Sequence, residues 1–155
     1  MFLSRIAAIA AAVAALGCAA SSHAQTIIPA NIPVVGTGSL VTTPGSAGRC
    51  TYTFSGITQA DQIVFDKITR SGSDACDNLR DMRITGLTLI PQTSQVMLAR
   101  IYMTSLDPID AYALDMSVGW NNATSGATFG LTGNPHAHYA VTGGIVTITP
   151  SIYVQ

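Results

Sequence analysis

Apolar and polar positions alternate with a period of two along most of the chain. The clearest run is Cys50-Thr51-Tyr52-Thr53-Phe54, which puts Cys50, Tyr52 and Phe54 on one face and two threonines on the other. That is the pattern of a half-buried strand. Residues 36–42 predict an earlier strand, stopped by Pro44-Gly45-Ser46-Ala47-Gly48, and residues 62–69 predict the next, with Ile63, Phe65 and Lys67 on one side and Val64, Asp66 and Ile68 on the other. Residues 82–90, 95–104 and 111–120 continue the series, punctuated by Pro91-Gln92-Thr93-Ser94 and Asp107-Pro108-Ile109-Asp110. A turn-rich link at 121–126 leads into a strand at 127–131. Gly133-Asn134-Pro135 breaks the chain again, and two last strands fit at 139–142 and 144–154. Short strands at spacings of about 10 residues with turn signals between them predict an all-β domain, a single antiparallel β-sandwich or barrel.

The two ends of this series carry prolines. Pro29 and Pro33 make residues 26–35 an extended lead-in or edge segment, because proline donates nothing to a ladder. Pro150 predicts that the last strand lies at an edge or is bulged there, and an apolar edge strand is a template for pairing with another chain. One short helical turn fits at 74–82, capped by Ser73 or Asp74 with Cys76 and Leu79 facing inward.

The start of the chain has a different pattern. Arg5 is followed by an unbroken apolar run over 6–16 and then by Ser22-His23-Ala24, the plan of an export signal. Residues 1–24 are therefore expected to be removed, leaving 25–155 as one domain. The run is too short to span a bilayer, which takes about 20 apolar residues, so no transmembrane segment is expected in the mature chain. Ala15-Leu16-Gly17-Cys18 resembles a lipoprotein box with its apolar residue one place off, which leaves lipidation of Cys18 as an alternative to its loss with the signal. Two cysteines remain, Cys50 and Cys76, and in an oxidising compartment they are expected to form one disulfide. A two-cysteine metal site is the weaker reading, since neither has a partner at CxxC spacing.

Composition sharpens the class. The chain has no glutamate, Lys67 is its only lysine, and the formal net charge is −1. Strong helix formers are scarce while β-branched residues abound. No basic stripe is present to neutralise phosphates, so nucleic acid is not an expected partner.

Candidate chemistry is thin. His136 and His138 would share one face of a strand, at metal-ligand spacing, or belong to a polar loop after Pro135. Asp107, Asp110 and Asp115 could offer oxygen ligands to calcium, although their spacing matches no calcium loop. Asp74, Asp77 and Asp81 read as the solvated face of a short helix, or as a second acidic site. There is no GxSxG elbow, and the eight carboxylates stand in no context that suggests a raised pKa, so no enzymatic role is expected. Trp120 is either a core residue or a platform for sugars.

Gly36-Thr37-Gly38-Ser39-Leu40 leading to Cys50, then Phe54-Ser55-Gly56, a second cysteine, the 120–129 stretch WNNATSGATF and the closing 141–147 stretch VTGGIVT resemble the PraB-like family of small exported bacterial proteins, labelled alkane oxidation protein activators. Family members often carry further cysteines toward the C-terminus, and none follows Cys76 here. The resemblance implies a secreted or cell-surface protein linked to hydrophobic substrates, surface properties or biofilm matrix, with no catalytic residues and no cofactor. Three roles stand open: a structural or interaction protein that self-associates or adheres to oily or cellular surfaces, a pilin-like subunit that donates residues 26–35 as a strand, and a ligand- or metal-binding module.

Overall fold

The computed structural model describes residues 24–43, 50–72, 82–106, 109–130 and 140–155. Within them the chain is all-β. Its strands are β1 (Ile27–Ile28), β2 (Pro33–Thr43), β3 (Cys50–Thr58), β4 (Ile63–Ser71), β5 (Met82–Thr93), β6 (Val96–Leu106), β7 (Ile109–Asn121), β8 (Gly126–Phe129), β9 (Ala140–Thr149) and β10 (Tyr153–Val154). Strands β2 to β9 pair in sequence order, each antiparallel to the next, and β9 returns to β2 from Val35↔Thr149 to Thr43↔Ala140 to close a barrel of eight strands. Between sandwich and barrel, the architecture is therefore a barrel. Strands β1 and β10 form a separate two-stranded ladder across one end.

Eight strands enclose a bore just wide enough for side chains to fill it. Val34, Leu40, Phe54, Phe65, Leu87, Leu89, Met97, Ile101 and Ile148 all point inward and are at most 2% exposed. The Phe54 and Phe65 rings lie 5.8 Å apart and tilted, and Tyr52 stacks on Phe54 at 5.9 Å. Each such side chain contributes about 1.5–3 kcal/mol by leaving water. Gly36 makes room for this aromatic layer, because a Cβ there would sit 3.1 Å from Val146 Cγ1 and 3.4 Å from Phe65 Cζ. The outer face of the wall carries Thr37, Thr51, Thr69, Ser117, Thr128, Thr147 and the ion pair between Arg100 and Asp115. A membrane-spanning barrel carries an apolar band in that place. No helix among the described residues is long and apolar enough to cross a membrane.

Extra residues reset the inward–outward parity at several points. Ser55 pairs with Lys67 but Gly56 with Phe65, which leaves Asp66 unpaired on β4. Ile63 and Phe65 face inward before this bulge, and Ile68 and Arg70 face inward after it. Lys67, expected beside Ile63 and Phe65, is exposed instead. Thr85 plays the same part on β5, between Ile84↔Met103 and Gly86↔Tyr102. A one-residue insertion moves every later side chain to the other face, so alternation cannot be extrapolated through it.

The terminal segments differ most from expectation. Residues 26–35 divide: Ile27 and Ile28 are an extended strand with β10 as its one ladder partner, whereas β2 begins at Pro33 inside the closed wall and is not an edge. The expected strand at 144–154 divides at Pro150. Strand β9 ends at Thr149 with a neighbour on both sides, so it is not an edge, and the chain then crosses the end of the barrel to β10. Residues 139–142 join β9 rather than forming a strand of their own, apart from Tyr139, which lies outside the described residues. Most of the expected helical turn at 74–82 also lies outside them, and Met82 opens β5.

Candidate functional site

The two poles of the barrel are built differently. At one pole the connections β3–β4, β5–β6 and β7–β8 meet β1 and β10, and hydrogen bonds from polar side chains hold this cap down. Asn122 Oδ1 accepts from Trp120 Nε1–H at 2.7 Å and from Val154 N–H at 2.7 Å, while Nδ2 donates to Val154 O at 3.0 Å. The amide thus completes the ladder that β10 lacks on its free side. Ser125, buried in left-handed backbone, donates its hydroxyl to Ile152 O and accepts from Ile152 N–H. Thr58, also buried, donates to Pro29 O at 2.9 Å and accepts from Ile32 N–H at 3.1 Å. These groups satisfy backbone that has left the wall, as burial demands. Ile27, Ile152 and Val154 fill the space beneath.

Around the same pole the surface turns apolar. Ile28 and Tyr153, cross-strand partners in the cap, are 41% and 51% exposed, Val35 and Ile57 stand out from the adjoining strands β2 and β3, and Val96 from β6 on the opposite side of the barrel. Only two other large apolar residues among those described are as open, Tyr102 and Ile145, both midway along the wall. A concavity of about 570 Å³ opens beside the cap, lined by Ser94, Gln95, Asn121, Asn122, Ala123 and the edge of Trp120. Trp120 itself is 5% exposed with its N–H satisfied, so it is a core residue and not a sugar platform.

At the opposite pole the connections β2–β3, β4–β5, β6–β7 and β8–β9 run mostly through residues outside the described set. There the wall has a seam. Strands β4 and β5 pair only at Ile63↔Leu89, Val64↔Thr88 and Phe65↔Leu87, although β4 continues to Ser71 against β3. Toward this pole they part around a cavity of about 230 Å³ lined by Tyr52, Ile68, Arg70, Arg83 and Ile84. Burial pushes the Tyr52 phenol above its ordinary pKa, against the opposing charge and hydrogen bond of Arg70.

Of the residues singled out from the sequence, Cys50 is buried at the start of β3 and is not a free thiol, while Cys76 lies outside the described residues. Cys18, His136, His138, Asp74, Asp77, Asp81 and Asp107 lie outside them too. Asp110 is the second residue of β7, remote in the ladder from Asp115, which binds Arg100 through two hydrogen bonds of 2.7 and 2.8 Å. That guanidinium holds the Asp115 carboxyl below the usual range. Asp115 is thus committed to an ion pair on the outer wall and not to calcium. Among the described residues no three His, Cys or acidic side chains gather as metal ligands. Sequence reasoning missed Asn122 and Arg70. Asn122 stood only as part of the turn-rich link and of the 120–129 stretch, Arg70 lay in no motif, and their roles depend on the cap and on a bulge. No protein-family model matches the chain, nor does any curated protein or solved structure.

Proposed function

We propose that this chain is an exported, non-catalytic structural or interaction protein of the bacterial cell surface or extracellular matrix, akin to the PraB-like proteins, which contacts hydrophobic or cellular surfaces through its capped pole. The observation that carries this reading is that Ile28 and Tyr153 on the cap, with Val35 and Ile57 on the adjoining strands β2 and β3, stand exposed at one end of a barrel whose wall is otherwise rich in hydroxyls. Exposed apolar residues concentrated in one region mark contact surfaces. Beneath the cap the bore is filled by its own side chains, which leaves the outside of this pole as its contact surface. The export pattern at 1–24 and the expected Cys50–Cys76 bridge support an extracytoplasmic address.

Strand donation in the manner of a pilin has little to draw on, because residues 26–35 are already paired within the monomer. Self-association would instead run through side chains at the capped pole. Adsorption of the purified mature protein to hexadecane droplets tests the reading. The wild type is expected to coat the droplets, and the triple variant Ile28→Ser, Ile57→Ser, Tyr153→Ser to lose most of that binding. Ile145→Ser, midway along the wall, should leave it intact. Equal adsorption by all three proteins would refute an apolar contact surface at the capped pole.

A further inference from the structure

We propose that the seam between β4 and β5 is a binding site for a small carboxylate with a compact apolar body. The seam lies at the pole away from the apolar cap, so this site is independent of surface contact. Its construction begins with the bulge at Asp66, which turns Ile68 and Arg70 inward on the last part of β4. Arg70 pairs across the ladder with Tyr52, on the same inward face, and both line the cavity. Among the described residues no carboxylate is ion-paired with Arg70, whereas Arg100 holds one in a two-bond fork. A guanidinium turned into a bore has donors to spare in a geometry that matches carboxylates.

The rest of the lining fits the remainder of such a ligand. Ile68, Ile84 and the Tyr52 ring give an apolar floor, and Arg83, on the outward parity of β5, adds a second positive charge at the rim. The Tyr52 hydroxyl lines the same cavity and carries a proton that a ligand oxygen can accept. The raised pKa of Tyr52 keeps that proton in place through the neutral range. A volume of about 230 Å³ suits a molecule of benzoate size better than a long chain. Charge-assisted bonds from a fork to a carboxylate are shorter and stronger than neutral ones, so the charge should dominate selectivity.

Benzoate titration followed by the methyl resonances of Ile68 and Ile84 in the full mature protein provides the test. Saturable shifts are expected at both residues, with benzamide and inorganic phosphate each binding about tenfold more weakly, for want of charge and of apolar body respectively. Arg70→Gln should weaken benzoate about tenfold, and Arg83→Gln, at an exposed position that does not endanger folding, should weaken it less. Tryptophan fluorescence of each variant checks that the fold is kept. Absence of saturable shifts, equal binding of benzamide, tighter binding of phosphate, or wild-type affinity in the Arg83→Gln protein would each overturn the assignment.

Discussion

Replacing Asn122 with alanine should loosen the cap and little else. The side chain makes three hydrogen bonds, to Trp120 Nε1–H and to both backbone groups of Val154. Trp120 and Val154 are 5% and 2% exposed, so their freed polar atoms would have little access to water. An intramolecular hydrogen bond nets about 1 kcal/mol, and a buried group left unpaired costs about 1–3 kcal/mol. Asn122 itself is half-buried, and water entering its place recovers part of the loss, which brings the expected destabilisation to about 2–3 kcal/mol. Trp120 is the only tryptophan, so urea unfolding followed by its fluorescence reads the effect at its origin. Asn122→Asp retains the acceptor and loses only the donor to Val154 O, and should fall between the alanine variant and the wild type. A loss below about 0.5 kcal/mol in the alanine variant, the size of an ordinary surface substitution, with an unchanged emission band, would show that the amide does not hold the cap.

Three further outcomes follow from the wall. Gly38→Ala should be far worse than Gly36→Ala, since the new Cβ would overlap the Ile145 carbonyl oxygen at 38 but only press on movable side chains at 36; thermal unfolding of both ranks them, and the reverse order would refute the argument. Phe65→Ala should cost about 3–5 kcal/mol through the cavity it leaves, measured by urea titration. The depressed pKa of Asp115 means that its ion pair contributes above the ordinary aspartate range, and that this contribution is lost as pH falls through the lowered folded-state value. The small stability difference between wild type and Asp115→Asn should therefore be present at neutral pH and vanish in strong acid. For the expected Cys50–Cys76 bridge, the purified exported protein should weigh two hydrogens less than its reduced form, and reduction should cost about 3 kcal/mol.

The strand content was readable because inward and outward positions differ so sharply in kind. Cys50, Tyr52 and Phe54 against Thr51 and Thr53 is the plainest case, and the structure buries the first three. What alternation cannot encode is the point where it stops. Asp66 and Thr85 are ordinary residues, and nothing in their identity announces that the next side chain changes face. Alternation left sandwich and barrel both open, because the pairing of β2 with β9 joins the two ends of the wall and leaves no local trace. Pro150 did carry a true signal, a place where the ladder ends, but the chain uses that stop to climb over the barrel and not to expose an edge. The seam depends on a bulge and a shortened ladder together, so nothing local in the sequence marks Arg70.

The ladder between β1 and β10 brings Thr26 and Gln155 into mutual hydrogen bonding, N–H to carbonyl in both directions. Whatever is joined ahead of the one residue or behind the other must leave the molecule side by side. A tether at either end would orient the barrel upright, with Ile28 and Tyr153 turned toward the anchoring layer and the arginine-lined crevice held outward to the medium.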